Sequence, residues 1–318
     1  MKTLPAPMQD WLRYLHANKR YSSHTLNAYR QDLRHLVACH PDTPLHHIHE
    51  ADIRRTVARL HSQGHKPRSL ARALAAWRGF YQWWAPQAGL DTNPVASVRA
   101  PKAPRHLPRA LSVEQAQALL DRPNLPEPDT PVQHRDQAMF EILYSSGLRL
   151  AELVGLDWRY IREPGYESSS WLQLESSEAV IKGKGSKTRS VPLGRKAVAA
   201  TRHWLKARDR LLADSPDADS RAALFLGVRG ARISPRVVQL QLDRLAVLAG
   251  LPVRVHPHSL RHSFASHMLQ SSQDLRAVQE LLGHANISTT QIYTRLDFQH
   301  LASVYDQAHP RANRKKDD

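Results

Sequence analysis

A chain of 318 residues with 41% hydrophobic and 23% charged side chains is long enough for two soluble domains, each with its own core. Its single cysteine, Cys39, excludes internal disulfides and cysteine-rich metal sites and fits a reducing, cytoplasmic setting. No apolar run approaches the roughly 18 residues of a membrane span, and the N-terminus lacks the apolar core of a signal peptide.

The net charge of +16 and pI of 10.3 point to a polyanion, with nucleic acid the default. Residues 1–105 hold 16 Lys and Arg against 6 Asp and Glu, so the first third is the most concentrated basic surface. This third reads as four helices. Over 24–40, Leu26, Tyr29, Leu33, Leu36 and Val37 share one face, with Arg30 and Arg34 together on another. Over 67–84, Leu70, Leu74, Trp77, Tyr81 and Trp84 point inward, with Arg68 and Arg72 one turn apart outside. The aromatic stripe is expected to be core rather than a platform for bases. The two arginine pairs are candidate DNA contacts; a solvated face is the other reading.

Residues 100–109 are rich in proline, carry Lys102 and Arg105, and read as a stiff basic linker between an N-terminal helical domain (1–99) and a second domain (110–308). The second domain opens with Ser112 and Gln115 at capping-box spacing, and more helix is expected over 134–146. Three short strand-like runs follow in 171–193 (WLQLE, AVIKG, TRSVPL), with GKGSK as the turn between the last two. Helices resume to about residue 306, and 309–318 reads as a basic, disordered tail.

Four basic clusters stand out in this domain. In SSGLRLAELVGL, Arg149 stands where a helix begins, and Glu152 lies three residues on, placed to orient its guanidinium. Lys184 occupies the tip of the GKGSK hairpin, which lacks P-loop spacing. In HPHSLRHSFASH, Pro257 suits a first helical turn and sets His258 and Arg261 on one face, while His262 and His267 point elsewhere. Finally, Gly283 ends a helix and leaves His284 at a junction. Ser288 and Gln291 then start a new helix with Tyr293 in its second turn. The histidines lack the spaced partners of a zinc site, so no metal is expected.

Together these side chains suit phosphoryl transfer without metal or ATP. Two arginines offer bidentate donors to the non-bridging oxygens of a phosphodiester and to its transition state. Histidines donate to the same oxygens or move protons, a lysine protonates a leaving oxygen, and a tyrosine among cations attacks.

The ordered set and the motifs GLRLAEL, GKGSK, HSLRHSFASH and LLGHANISTTQIYT resemble the tyrosine recombinase (phage integrase) family over nearly the whole chain. The likeness is greatest to its bacterial chromosome-dimer-resolving branch. The resemblance implies a mainly α fold with a small antiparallel β-sheet, arranged as a two-domain clamp on duplex DNA. It implies that Arg149, Lys184, His258, Arg261, His284 and Tyr293 are catalytic and that no cofactor is needed. Arg30, Arg34, Arg68 and Arg72 would face the major groove. It further implies a heterotetramer with a XerD-like recombinase on dif-like DNA sites, under an FtsK-type DNA translocase during cell division. Two other readings stay open: a mobile-element integrase of the same chemistry, and an architectural DNA-binding protein that never cleaves. The connection over 162–178 is longer than the family's usual one, which leaves the register of the first strand open. The apolar stripe Phe298, Leu301, Val304 and Tyr305 is expected either to dock into a neighbouring subunit, as the resemblance suggests, or to pack on its own core.

Overall fold

In the first unit the helix starts are written locally. Ser22 accepts from the Thr25 amide at 3.2 Å, and Asp52 reaches back to the His49 amide at 2.9 Å. Pro67 stands at a first helical position, where its missing N–H costs nothing. The result is four helices: α1 (Ala6–Ala17), α2 (Ser23–Cys39), α3 (Glu50–Ser62) and α4 (Pro67–Trp84). The computed structural model describes residues 3–102, 110–121, 130–183, 188–283, 304–305 and 307–311, and the chain divides into two units, Met1–His106 and Leu107–Asp318.

The core of the first unit gathers Met8, Trp11, Leu33, Leu36, Leu74, Trp77, Phe80 and Tyr81. Trp77 and Tyr81 are fully buried, so the aromatic stripe of α4 is packing, with each large apolar side chain worth roughly 1.5–3 kcal/mol. A charged group is buried with them. Asp32 on α2 accepts from Arg72 on α4 through Nε at 2.8 Å and Nη2 at 3.0 Å, while its main-chain carbonyl takes the Trp77 indole N–H at 2.7 Å.

The second unit begins as its sequence suggests. Ser112 and Gln115 exchange hydrogen bonds at the start of α5 (Val113–Asp121), and Thr130 and Gln133 do the same for α6 (Pro131–Ser146). From Ala138 to Ser146 every side chain of α6 is buried, which makes it the central helix of this unit. A short α7 (Leu150–Val154) leads into a hairpin of β1 (Arg162–Glu163) and β2 (Tyr166–Glu167). Then comes an antiparallel sheet in the order β3 (Trp171–Gln173), β4 (Glu178–Lys182), β5 (Thr188–Pro192). The remaining helices are α8 (Arg195–Arg208), α9 (Ala218–Ala222), α10 (Pro235–Leu248), α11 (Pro257–Ser272) and α12 (Leu275–Leu282). The helices packed most extensively on α6 are α8 and α11.

The longer connection settles into place. Trp171 faces Val180 and Leu172 faces Ala179, which gives the register of the first sheet strand. The β1–β2 hairpin escaped sequence reading because strands of two residues have no periodicity. It is stitched down by Tyr166, whose hydroxyl donates to both oxygens of buried Asp157 at 2.9 Å, and by Arg232, which donates to Asp157 at 2.7 Å. Burial, and then this bond to a carboxylate, push the Tyr166 phenol up to about 12.

The described end of the chain packs on its own unit. Tyr305 and Ala308 are buried among Phe264, Met268, Ala277, Val278, Leu281 and Leu282. The Tyr305 hydroxyl meets Ser145 Oγ at 2.7 Å. Val304 is half-buried against the same cluster, while Phe298 and Leu301 lie outside the described residues. His309 and Arg311, which composition assigns to a disordered tail, are 3% and 5% exposed. Arg311 donates to Glu141 and Asp121, partners far away in sequence. Among the described residues, no helix is long and apolar enough to cross a membrane.

Candidate active site

The site forms where α6 stops. Gly147 caps α6 in the left-handed conformation, φ 59°, and a Cβ there would come within 2.4 Å of Phe264 on α11. Only glycine lets the chain turn so close beneath α11. Two residues on, Arg149 is the N-cap of α7. Its amide donates to Glu152 Oε2 at 2.8 Å and its guanidinium to Glu152 Oε1 at 3.0 Å, the orienting role expected of Glu152. A third bond runs from Arg149 Nη2 to the carbonyl of Gly283 at 3.2 Å.

Glu152 serves a second arginine. Arg189 on β5 donates to Oε2 at 3.0 Å. Burial by itself raises the Glu152 carboxyl, but the hydrogen bond and charge of Arg189, with those of Arg149, bring it below the usual carboxylate range. Gly283, left-handed at φ 64°, closes α12, and a Cβ there would lie 2.9 Å from the Arg189 guanidinium carbon. Sequence reading singled out Lys184 in GKGSKTR and passed over Arg189. The available signal was its position on the strand leaving the basic turn, opposite Ile181.

Arg261 comes from the second turn of α11 and is 8% exposed. It donates through Nη1 to the carbonyl of Gly147 and through Nη2 to that of Leu282 at 2.6 Å. Burial first, and then the charges of Arg149 and Arg189, push it down to about 10, so it remains protonated at neutral pH. Arg149, His258 and Arg261 line one cavity of about 460 Å³ together with Leu148, Leu150, Gln239, His256 and Pro257. Two guanidiniums and an imidazole lining one cavity are a donor set whose chemistry suits a tetrahedral anion. Lys184, His284 and Tyr293 lie outside the described residues.

The same α11 is braced from behind. The Leu111 amide donates to Ser263 Oγ at 2.8 Å, and His267 Nε2 donates to the Leu111 carbonyl at 2.9 Å. That tautomer leaves Nδ1 to accept from the Tyr144 hydroxyl at 2.8 Å. His267 is therefore a buried structural histidine, held below its ordinary range by burial.

The four candidate DNA-contact arginines separate into two settings. Arg30, bonded to Asn27 at 2.6 Å, and Arg34 line a cavity of about 780 Å³ beside α1 with Arg13 and His16. Arg72 is tied to Asp32 across the α2–α4 contact, and Arg68 is exposed.

Residues 109–300 match the Phage integrase family and residues 8–87 match the Phage integrase N-terminal SAM-like domain. The chain is 52% identical to tyrosine recombinase XerC of Ralstonia pickettii, over 98% of this chain and 96% of that one. It is 48% identical to tyrosine recombinase XerC of Azotobacter vinelandii, over 99% of both. Its fold is similar to the crystal structure of the XerH site-specific recombinase bound to a palindromic difH substrate, with TM-score 0.65 and 22% identity over 94% of this chain and 83% of that one.

Proposed function

The chain belongs to the phage integrase family, and from that premise we propose how its residues cut and rejoin DNA. It is a site-specific tyrosine recombinase of the XerC type, a DNA strand-exchange enzyme. The observation that carries the mechanism is the shared wall of Arg149, His258 and Arg261. The guanidiniums bind the non-bridging oxygens of the scissile phosphate, and His258, with His284, donates to the same oxygens. The Tyr293 hydroxyl attacks phosphorus, passing its proton to a histidine of the site. A 3′-phosphotyrosine bond forms, the bond to the 5′ oxygen breaks, and Lys184 gives that oxygen its proton. The freed 5′ hydroxyl then attacks the phosphotyrosine of the partner strand, so the bond energy is conserved without ATP.

The two domains, 1–99 and 110–308 joined by the basic linker 100–109, both engage the duplex, with Arg30, Arg34, Arg68 and Arg72 on the N-terminal recognition surface. The working assembly is a heterotetramer with a XerD-like recombinase on dif-like sites in the cytoplasm, controlled by an FtsK-type translocase and resolving chromosome dimers before division. The relatives' shared name supports this reading.

The test uses labelled dif-like DNA from the same genome, nicked beside the cleavage point so that the covalent complex is trapped. On a denaturing gel the wild-type protein gives a shifted band in EDTA, and Tyr293→Phe gives none while retaining binding in a native gel. An adduct with the Phe variant would move the nucleophile elsewhere, and dependence on added Mg²⁺ would overturn the arginine-only chemistry.

A further inference from the structure

We propose that the outer face of α8, with the hollow beside Arg311, docks an acidic peptide segment of a partner protein. This reading is independent of the active-site chemistry. Lys196, Ala199, His203 and Lys206 recur at helical spacing along one stripe of α8, roughly 15 Å long at 1.5 Å per residue. Two hollows, of about 490 and 400 Å³, lie on this stripe and share Ala199 and His203. The first is walled by His134, Glu141, Lys196 and Arg311, and the second by Arg202 and Lys206. His134 of α6 and His203 of α8 hold their rings 6.4 Å apart across the first hollow.

The charge on this face is uneven. Both acids of the first hollow are taken: Asp121 accepts from Lys196 at 2.7 Å and from Arg311 at 3.0 Å, and Glu141 accepts from Arg311. Among the described residues, Arg202 and Lys206 pair with no carboxylate, and the second hollow has no acid in its wall. Carboxylates at the spacings of an extended chain would complement this face: about five residues at ~3.3 Å each cover the stripe.

Two other occupants fit less well. Duplex DNA presents a broad convex backbone, whereas these are recesses over alanines with carboxylates in the first. His134 and Glu141 also precede Gly147 by thirteen and six residues, roughly 20 and 9 Å along α6 from the catalytic end. A second copy of this chain carries the same +16 charge and lacks the complementary sign.

The probe is a fluorescein-labelled hexaglutamate bearing a terminal benzophenone, titrated onto the full chain at 0.1 M salt. Photo-adducts are expected on 195–208 and around residue 134. Arg202→Glu with Lys206→Glu should weaken binding at least tenfold, with the melting temperature unchanged. Arg202→Ala with Lys206→Ala should give a smaller loss in the same direction. Adducts concentrated elsewhere, or equal binding by the reversed variant, overturn the proposal. So does loss of non-specific duplex binding in that variant, which would give the face to DNA, or loss of self-association, which would give it to a second copy.

Discussion

Glu152 accepts from Arg149 twice, once from its main-chain amide and once from its guanidinium. The carboxylate thereby caps α7 and aims the arginine that begins it, while its second arginine, Arg189, keeps it ionised. Glu152→Gln preserves size but removes the charge and one acceptor. Single-turnover cleavage should fall by about 10–100-fold, the scale of a misplaced catalytic group, while site binding changes little. An unchanged cleavage rate would show that Arg149 is positioned by its bond to Gly283 alone.

The two arginine settings of the first unit should separate in their energetics. Arg30→Ala and Arg34→Ala should each lower the slope of log K against log salt by about 0.9 for every DNA phosphate left without its cation, with little change in stability. Arg72→Ala should destabilise the unit by about 1 kcal/mol, because buried Asp32 is left unpaired while solvent around the half-exposed guanidinium limits the effect. Urea titrations beside salt-dependent band shifts distinguish the two. Equal effects from all three would merge the settings.

Arg311 and Glu141 are 3% and 2% exposed in their side chains, a buried pair joining the end of the chain to α6. Removing one partner strands the other. Arg311→Ala should cost about 3–5 kcal/mol in denaturant unfolding of the second unit. Combining it with Glu141→Leu should recover most of that stability. Failure of the double variant to recover would mean that Asp121 and Lys196 carry the anchor.

His309 stacks on Tyr305, with Nε2 donating to the Tyr144 carbonyl and Nδ1 accepting from the Arg311 amide. Burial first, with the nearby charges of Arg311 and His267, pushes it down to about 3 despite the bond to Tyr144. The sign follows from linkage. Below about pH 6.5 the unfolded chain takes up a proton that the folded chain refuses, at up to ~1.4 kcal/mol per pH unit. Stability should therefore drop as pH falls from 7 to 5, and less steeply in His309→Gln. Parallel slopes for both proteins in urea would remove His309 from this role.

The described part of the candidate site, Arg149, Glu152, His258 and Arg261, is legible in sequence because its placement is local. A helix start sets Arg149 and Glu152, and a proline-led first turn puts His258 and Arg261 on one face. What could not be read depends on partners distant in the chain. Arg72 meets Asp32 across 40 residues and Arg311 meets Glu141 across 170. No periodicity signals such pairs, so Arg72 looks like a surface cation and Arg311 like part of a tail. Arg189 was hidden by company: in a basic hairpin, composition does not say which cation turns inward.

Arg149 and Arg261 are both held at the trailing ends of helices. Arg261 reaches the carbonyls of Gly147, which caps α6, and Leu282, the last residue of α12, while Arg149 reaches that of Gly283 just beyond. Carbonyls at a helix C-terminus carry the negative end of its macrodipole, equivalent to roughly half an electron charge for the whole terminus. Two like charges thus stand side by side with built-in counter-charges that cannot diffuse away. An arriving phosphate therefore meets a pair whose like charges are already offset by the protein's own dipoles. Ionic strength should therefore act on how the duplex is captured and leave the cleavage step of the captured duplex nearly untouched.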